Sequence, residues 1–222
     1  MKEKDFKLEI IMLSMLAVVL LFLFILNLKL TDAVSINKSS IITQTQTKLV
    51  FDKYCTRLDV NDELINNKDL YYKSIGFYTN LTKNNLIATT IIEQAIKAKV
   101  PVNLVFALAF VESSFNVKAE NKNQNGTTDK GLFQLNTRYN NGIDYFDPKE
   151  NAIKAFEYLK DRYKMFQSWE IAVLLYNAGN VDNVGDSSLR HMDRILSKER
   201  EIDEQFNQFR RSVSFTNLQE KR

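Results

Sequence analysis

The sequence contains few of the residues that most often bind metals or form disulfides. Its 222 residues include one cysteine, Cys55, and one histidine, His191. A lone cysteine cannot form an internal disulfide, so the fold must be stable without one, and we interpret Cys55 as a structural or incidental thiol. Zinc sites with several His or Cys ligands are excluded because the ligands are missing, and we expect no metal.

The single histidine also limits nucleophilic catalysis. A Ser-His-Asp arrangement would have to use His191, which lies in the charged stretch SSLRHMDRILSKERE without a nucleophile motif beside it. We therefore favour an interpretation in which His191 has no functional role. Among the ionisable residues, carboxylates remain as the candidates for catalysis.

Glycine and excess charge are also scarce. With six glycines in the chain, neither the phosphate-binding loop of nucleotide hydrolases nor the dinucleotide-binding pattern can be found, and we expect no cofactor. The formal net charge of +3 is too small to indicate a nucleic acid partner. It would suit an anionic polymer, although it does not by itself identify one.

A long apolar run is present near the start of the chain. Residues 10–28 carry no charge and would span roughly 28 Å as a helix, about one hydrocarbon core. We predict an uncleaved membrane anchor within residues 1–30, with a cleaved signal peptide as the alternative because Thr31-Asp32-Ala33 is a weak cleavage site. Lysines flank the run on both sides, so the positive-inside rule barely separates its two orientations.

The rest of the chain predicts a mainly helical protein in three parts. Residues 31–85 are interpreted as a polar stalk, rich in Ser and Thr up to residue 48, followed by short helices. Residues 86–200 predict a helical domain whose central helix, NLVFALAFVESSF, is apolar on every face. Residues 201–222 are predicted to end the last amphipathic helix in a polar tail. Caps, prolines and a terminal glycine bound the predicted helices: Asn84 or Asn85, Pro101, Asp147 with Pro148, and Gly179.

Two acidic residues in the stretch VESSFNVKAENKNQNGTTDKGLFQLN suggest chemistry. Glu112 closes the apolar central helix, where partial removal from water disfavours the charged form of a carboxyl group and favours a general acid. Asn125-Gly126 predicts a hairpin that presents Asp129 beside the helix end. Two carboxylates across a cleft are what glycoside hydrolysis requires. An ordinary helix-end glutamate and a turn-forming aspartate are the alternative interpretation.

Three short motifs in this order resemble a known family. Glu112-Ser113, then GLFQL at residues 131–135, then YNAG at residues 176–179 are similar to the ES, GLMQ and AYNAG motifs of the lytic transglycosylase domain of the soluble-transglycosylase type. In addition, residues 112–138 resemble c-type lysozyme without a gap, which aligns that family's second carboxylate with Asp129. This mixture is similar to the transglycosylases that accompany secretion and conjugation machines. Many family members carry a tyrosine after the third motif, where this chain reads LRHMDRIL.

The resemblance implies a lysozyme-like fold, mainly α with a small β-hairpin at the active site, and cleavage of peptidoglycan glycan strands. Glu112 would protonate the β-1,4 oxygen between N-acetylmuramic acid and N-acetylglucosamine. It would then take the proton of the C6 hydroxyl, giving a 1,6-anhydro product, while Asp129 would stabilise the sugar cation. Ser113 would orient Glu112. The polar residues implied to line the sugar groove with Ser113 are Gln134, Asn136, Tyr176 and Asn177.

Two further functions stay open at this point. A lysozyme-like hydrolase would use the same Glu112 and Asp129 with water in place of the C6 hydroxyl. A wall-binding scaffold for an envelope-spanning machine would keep the groove without its chemistry. In each case the predicted anchor gives a single-pass protein of the inner membrane, and the implied peptidoglycan substrate puts its helical domain in the periplasm or cell wall. An envelope-spanning secretion, conjugation or motility machine is the partner implied by the subgroup.

Overall fold

The computed structural model describes residues 60–219. Within them the chain forms seven α-helices, one short 3-10 helix and a three-stranded antiparallel sheet, which agrees with the predicted mainly helical fold. The elements in chain order are α1 (Asn61–Asn66), α2 (Lys68–Thr82), α3 (Asn85–Ala98), α4 (Val102–Ser113), β1 (Glu120–Lys122), β2 (Thr128–Lys130), β3 (Leu135–Asn136), α5 (Pro148–Phe166), α6 (Trp169–Ala178), the 3-10 helix (Val181–Asn183) and α7 (Asp186–Gln219).

Side-chain caps explain where several helices begin. The carboxamide oxygen of Asn84 accepts the main-chain N–H of Ile87 at the start of α3, and the Asp147 carboxylate accepts those of Lys149 and Glu150 at the start of α5. Each bond satisfies an amide that has no partner inside its helix. The helix starts predicted at these two residues are thus confirmed.

Helix α4 forms the centre of the domain. Every residue from Val102 to Ala109 is at most 1% exposed, because the helix is apolar on all sides and packs against α3 and α7. This confirms the predicted central helix. Its last turn emerges from the core, where Phe110 is 38% exposed, so Glu112 stands at the border of the apolar interior.

Helix α2 belongs to the same core. Tyr78 stacks on Phe106 of α4 with ring centroids 4.1 Å apart, and its hydroxyl donates to Oδ1 of Asn103 at 2.5 Å. The amide of Asn103 donates in turn to Oδ1 of Asp203 in α7 at 2.7 Å. Burial, with a smaller contribution from the Asp203 charge, holds the pKa of Tyr78 well above its usual value. Residues 68–82, predicted as one of several short helices after a stalk, are instead a fifteen-residue helix packed in the core.

The predicted polar tail at residues 201–222 also differs from the structure. Helix α7 continues without a break to Gln219. Ile202 and Phe206 are fully buried, and Phe206 packs edge-on against Phe77 of α2 at 5.3 Å. The charged residues between them make this stretch polar on average, which favoured the prediction of a tail. Its apolar residues Ile195, Ile202 and Phe206 nevertheless follow the spacing of one helix face.

The small sheet lies beside the end of α4. Strands β1 and β2 form the predicted hairpin, with Asn121 paired to Asp129. Its turn uses Gly126 at φ +81°, a conformation that glycine adopts without strain. Strand β3 adds a third strand that the sequence did not predict, and it pairs Asn136 with Asp129.

The predicted anchor at residues 10–28, the Ser- and Thr-rich part of the stalk and Cys55 all lie outside the described residues. None of the helices within residues 60–219 combines the length and the apolar character that a bilayer span requires.

Candidate functional site

Glu112 occupies the last turn of α4, and its side chain is 12% exposed. The helix ends directly after it, because Ser114 and Phe115 both adopt left-handed backbone conformations, at φ +53° and +64°. Such conformations are uncommon for residues other than glycine and cost of the order of 1–2 kcal/mol each. The chain therefore turns sharply at this point and leaves the carboxyl group at the edge of the core.

His191 in α7 is the direct partner of Glu112. Its Nε2 lies 3.0 Å from Oε1 of Glu112, and its side chain is 15% exposed. Among the described residues, no hydrogen bond reaches the other carboxyl oxygen, Oε2. The sequence interpretation had assigned His191 no functional role, and the structure places it in the site. One signal was available: His191 lies in the stretch where many members of the resembled family carry a tyrosine.

Asp129 is held from both sides by amide groups. Asn136 donates to its Oδ1 at 2.7 Å, and Asn123 donates to its Oδ2 at 2.9 Å. Both amides also contact Oγ1 of Thr127, at 2.9 and 3.0 Å. The three-stranded sheet creates this arrangement, because its register places Asn136 opposite Asp129. The carboxylate is thus fixed in position and satisfied on both oxygens.

Tyr176, near the end of α6, lies close enough to Glu112 and Asp129 for both charges to affect its pKa. Its hydroxyl donates to the main-chain oxygen of Phe133 at 2.7 Å. Burial raises its pKa well above the usual value, and the negative charges of Glu112 and Asp129 both raise it further. The ends of α4 and α6 meet at the same segment, because Ser113 and Tyr176 donate to the adjacent carbonyls of Leu132 and Phe133.

The GLFQ segment forms a tight turn beneath this site. Gly131 has φ +80°, and a Cβ atom there would lie 2.0 Å from the carbonyl oxygen of Tyr145. Asn151, fully buried in α5, accepts the N–H of Phe133 at 2.8 Å and donates to the carbonyls of Lys130 and Tyr145. Asn151 was not singled out from the sequence, although it belongs to the DPKEN segment that begins α5.

Three residues predicted to bind sugar make internal hydrogen bonds. Ser113 donates to the carbonyl of Leu132 at 2.7 Å, which ties the end of α4 to the turn. The amide of Gln134, a residue at φ +50°, donates to the carbonyl of Gly131 at 2.9 Å. Asn136 holds Asp129 as described above. Their contribution to substrate binding stays a prediction, and the structure adds a positioning role for each.

The last residue predicted to line the sugar groove, Asn177, is exposed next to Tyr176. The end of its helix is braced by α5, where the Tyr158 hydroxyl and the Arg162 guanidinium both donate to the carbonyl of Gly179, at 3.2 and 3.1 Å. Asn177 is therefore exposed at a helix end that hydrogen bonds connect to α5. Within residues 60–219, no cluster of three or more His, Cys, Asp or Glu side chains is arranged to hold a metal ion.

Part of the chain is similar to known proteins. Residues 89–188, somewhat less than half of the chain, match the family profile described as Transglycosylase SLT domain. Lysozyme C of Penaeus merguiensis is 53% identical over 38 residues, which is 17% of this chain and 24% of that protein. Lysozyme-like protein 6 of Mus musculus is 56% identical over 32 residues, which is 14% of this chain and 22% of that protein. The chain thus spans about a quarter of the length of these curated relatives.

These matches confirm the resemblance to the transglycosylase domain and the local similarity to lysozymes. The secretion-associated subgroup stays a prediction. The matched range includes Glu112, Asp129 and Tyr176, but it ends at residue 188, before His191.

Proposed function

We propose that this chain cleaves the β-1,4 bond between N-acetylmuramic acid and N-acetylglucosamine in peptidoglycan, as a lytic transglycosylase. The observation that carries the proposal is the contrast between its two carboxyl groups. Glu112 lies at the end of an apolar helix with Oε2 free of hydrogen bonds within the described residues, whereas both oxygens of Asp129 accept amide donors. The first environment suits a proton donor, and the second suits a lasting anion.

Glu112 acts first as general acid. Its proton passes to the glycosidic oxygen, the bond from that oxygen to C1 of the muramic acid breaks, and the bonding electrons stay with the leaving oxygen. The ring is left as an oxocarbenium ion, which the fixed charge of Asp129 stabilises without reorganisation. The C6 hydroxyl of the same sugar then attacks C1, and its proton returns to Glu112. The product is a 1,6-anhydro sugar, and no water is consumed.

A lysozyme-like hydrolase is the second candidate. It is favoured by the Asp129 arrangement, which lies within residues 112–138, the segment that resembles c-type lysozyme. The first step would be identical, but water would attack C1 in place of the C6 hydroxyl. The transglycosylase is the preferred reaction because the matched range extends beyond that segment to the YNAG motif at the end of α6.

The test is mass spectrometry of the products that the full-length chain, purified in a mild detergent, releases from peptidoglycan. E112Q removes the proton donor and nearly preserves the side-chain shape, and E157Q makes the same change at an exposed position of α5. We expect anhydro-muropeptides from the wild type and E157Q and none from E112Q. Products heavier by one water molecule, with reducing ends, would instead establish the hydrolase.

A scaffold that binds wall without cleaving it is the outcome that would overturn both reactions. Wild-type protein that binds peptidoglycan but releases no product would establish the scaffold, whereas E112Q with normal turnover would show that Glu112 is not the general acid. In the proposed sugar groove, Gln134, Asn136, Tyr176 and Asn177 contact the glycan, and Ser113 positions the end of α4. Substitution of the exposed Asn177 by Ala is expected to raise KM more than it lowers kcat.

The proposed location is the inner membrane, with the helical domain in the periplasm or wall and a partner among secretion, conjugation or motility machines. Residues 10–28 support the anchor by sequence alone. Fractionation of cells producing the full-length chain, compared with a variant lacking residues 1–30, tests the location. If deletion of the gene alters growth and leaves every such machine assembled, general wall turnover is the better account of its role.

A further inference from the structure

The two oxygens of the Glu112 carboxyl group have different surroundings. Oε1 lies 3.0 Å from Nε2 of His191, whereas Oε2 has no hydrogen bond within the described residues. Both side chains are mostly buried, at 12% and 15% exposed, so water competes weakly for this contact. An acid that must give up a proton and take it back needs one oxygen directed at the substrate and a carboxyl plane that does not rotate.

The ionisable groups around this pair come from three helices that pack on α7. On α4, Glu112 is the only ionisable residue. On α6, Tyr176 lies within electrostatic range of Glu112, while Glu170 stands at the other end of that helix with its carboxylate hydrogen-bonded to Ser168. The third helix, α2, meets α7 around Phe206, roughly 22 Å along the helix from His191.

The neighbours of His191 on α7 itself do not neutralise the pair. Arg190, Asp193 and Arg194 are exposed. Within residues 60–219, no lysine or arginine forms an ion pair with Glu112. Asp129 acts from the sheet, as a second negative charge near Tyr176. His191 is therefore the one group of this region with a direct hydrogen bond to Glu112.

We propose that His191 is a positioning residue for Glu112. The neutral imidazole, with its proton on Nε2, donates to Oε1 and holds the carboxyl group so that Oε2 faces the groove. Oε2 then carries the proton that is transferred to the glycosidic oxygen and later returned. The same donor stabilises the ionised carboxylate between the two steps. This inference rests on the proposed role of Glu112 as the general acid.

The kinetic test uses three variants of the full-length chain. H191F keeps a ring of similar size and removes the hydrogen bond. H191Q keeps an amide donor near the Nε2 position but cannot titrate. D193N changes the charge of an exposed residue two positions along the same helix. We expect kcat to fall roughly 10- to 100-fold in H191F, with KM changed less than about threefold, and to stay within about threefold of wild type in H191Q and D193N.

The pH profile separates positioning from a purely structural role. Without the donor, the ionised carboxylate is less stable, so the alkaline limb of kcat/KM should move to higher pH in H191F and stay in place in H191Q. A structural role would lower the amount of folded protein without moving this limb. Equal losses in H191F and H191Q with an unmoved limb would overturn the inference, as would wild-type kinetics in H191F.

A second measurement does not depend on activity. His191 is the only histidine of the chain, so ¹⁵N-histidine labelling of untagged protein gives one imidazole signal pair by NMR. We expect the Nε2–H tautomer of His191, because that nitrogen then donates to Oε1 of Glu112. A predominant Nδ1–H tautomer would overturn the inference. An inactive wild type with the expected NMR result would overturn the proposed function and the positioning role with it, and would leave only the contact.

Discussion

Asn136 donates a hydrogen bond to Oδ1 of Asp129 at 2.7 Å, and this bond joins the last strand of the sheet to the carboxylate proposed to stabilise the sugar cation. Asn123 holds the second oxygen from the other side of the sheet. A carboxylate with both oxygens occupied by donors is held in one orientation. The sheet therefore serves to position the carboxylate of Asp129.

Removal of that charge should slow catalysis strongly. We expect D129N to lower kcat roughly 100-fold or more, because the cation then forms without a fixed anion near it. The measurement is the rate of muropeptide release, with D161N at an exposed position of α5 as the matched control. A rate near that of the wild type in D129N would show that Asp129 only forms the hairpin.

Release of Asp129 without loss of its charge should have a smaller effect. N136A removes one of the two donors, so we expect roughly a 10-fold lower kcat, from a single lost hydrogen bond to a charged group. N80A, at an exposed position of α2, is the control. The double variant N123A/N136A should approach the rate of D129N. If the double variant kept the rate of N136A, the orientation of Asp129 would be unimportant.

Much of the helical framework was predictable because its signals are local. Asn84, Asp147 and Gly179 bound their helices through bonds made within one turn, and α4 is apolar on every face, which leaves it no place except the core. The inclusion of α2 and the end of α7 in the core was missed. Their contacts, such as Phe77 with Phe206, join residues more than a hundred positions apart, so the spacing within each helix did not show what it packs against.

In the site, too, the features with local signals were predicted and the contacts between distant residues were missed. Glu112 and Asp129 were predicted because a carboxyl group at the end of an apolar helix and another beside a hairpin turn are visible in the sequence. His191 and Asn151 act on groups 79 and 18 residues away, on Glu112 and Phe133. No spacing rule connects such positions. The one sequence signal for His191 was that the chain departs from the resembled family in this stretch. The departure was interpreted as the absence of a tyrosine, and the histidine was not considered as its replacement.

The turn at Gly131 offers a stability test in which a second glycine of the chain, Gly142, is the control. Gly131 and Gly142 have nearly equal φ, +80° and +81°, but a Cβ at Gly131 would clash with the Tyr145 carbonyl and Asn151, whereas the space at Gly142 is open. G142A should cost about 1 kcal/mol in the free energy of unfolding, from backbone strain alone. G131A should cost at least about 3 kcal/mol and lower activity as well, because the backbone must move.

Urea unfolding of both glycine variants, followed by circular dichroism, measures these free energies. The difference between the two variants isolates the clash from the strain that they share. Equal destabilisation of G131A and G142A would mean that Asn151 and the Tyr145 carbonyl can yield at little cost. In that case the hydrogen bonds of Asn151 would not hold the turn rigidly in place.

The two tyrosines with strongly raised pKa values predict how stability responds to alkali. Unfolded tyrosines ionise near pH 10, while Tyr78 and Tyr176 keep their protons in the folded state because burial disfavours the phenolate. Above pH 10 the folded state thus binds more protons than the unfolded state. The stability that is fully present below pH 10 is lost as pH rises, by up to about 1.4 kcal/mol per pH unit for each tyrosine.

Y176F removes one of these groups together with its hydrogen bond to Phe133. At pH 8 the variant should be less stable than the wild type by about 1 kcal/mol. Above pH 10 its free energy of unfolding should fall less steeply than that of the wild type, so the two curves converge. Y72F, which changes a tyrosine that is 68% exposed, should run parallel to the wild type. Urea unfolding at several pH values from 8 to 11 measures the slopes, and a Y176F slope equal to that of the wild type would mean that Tyr176 ionises without unfolding the site.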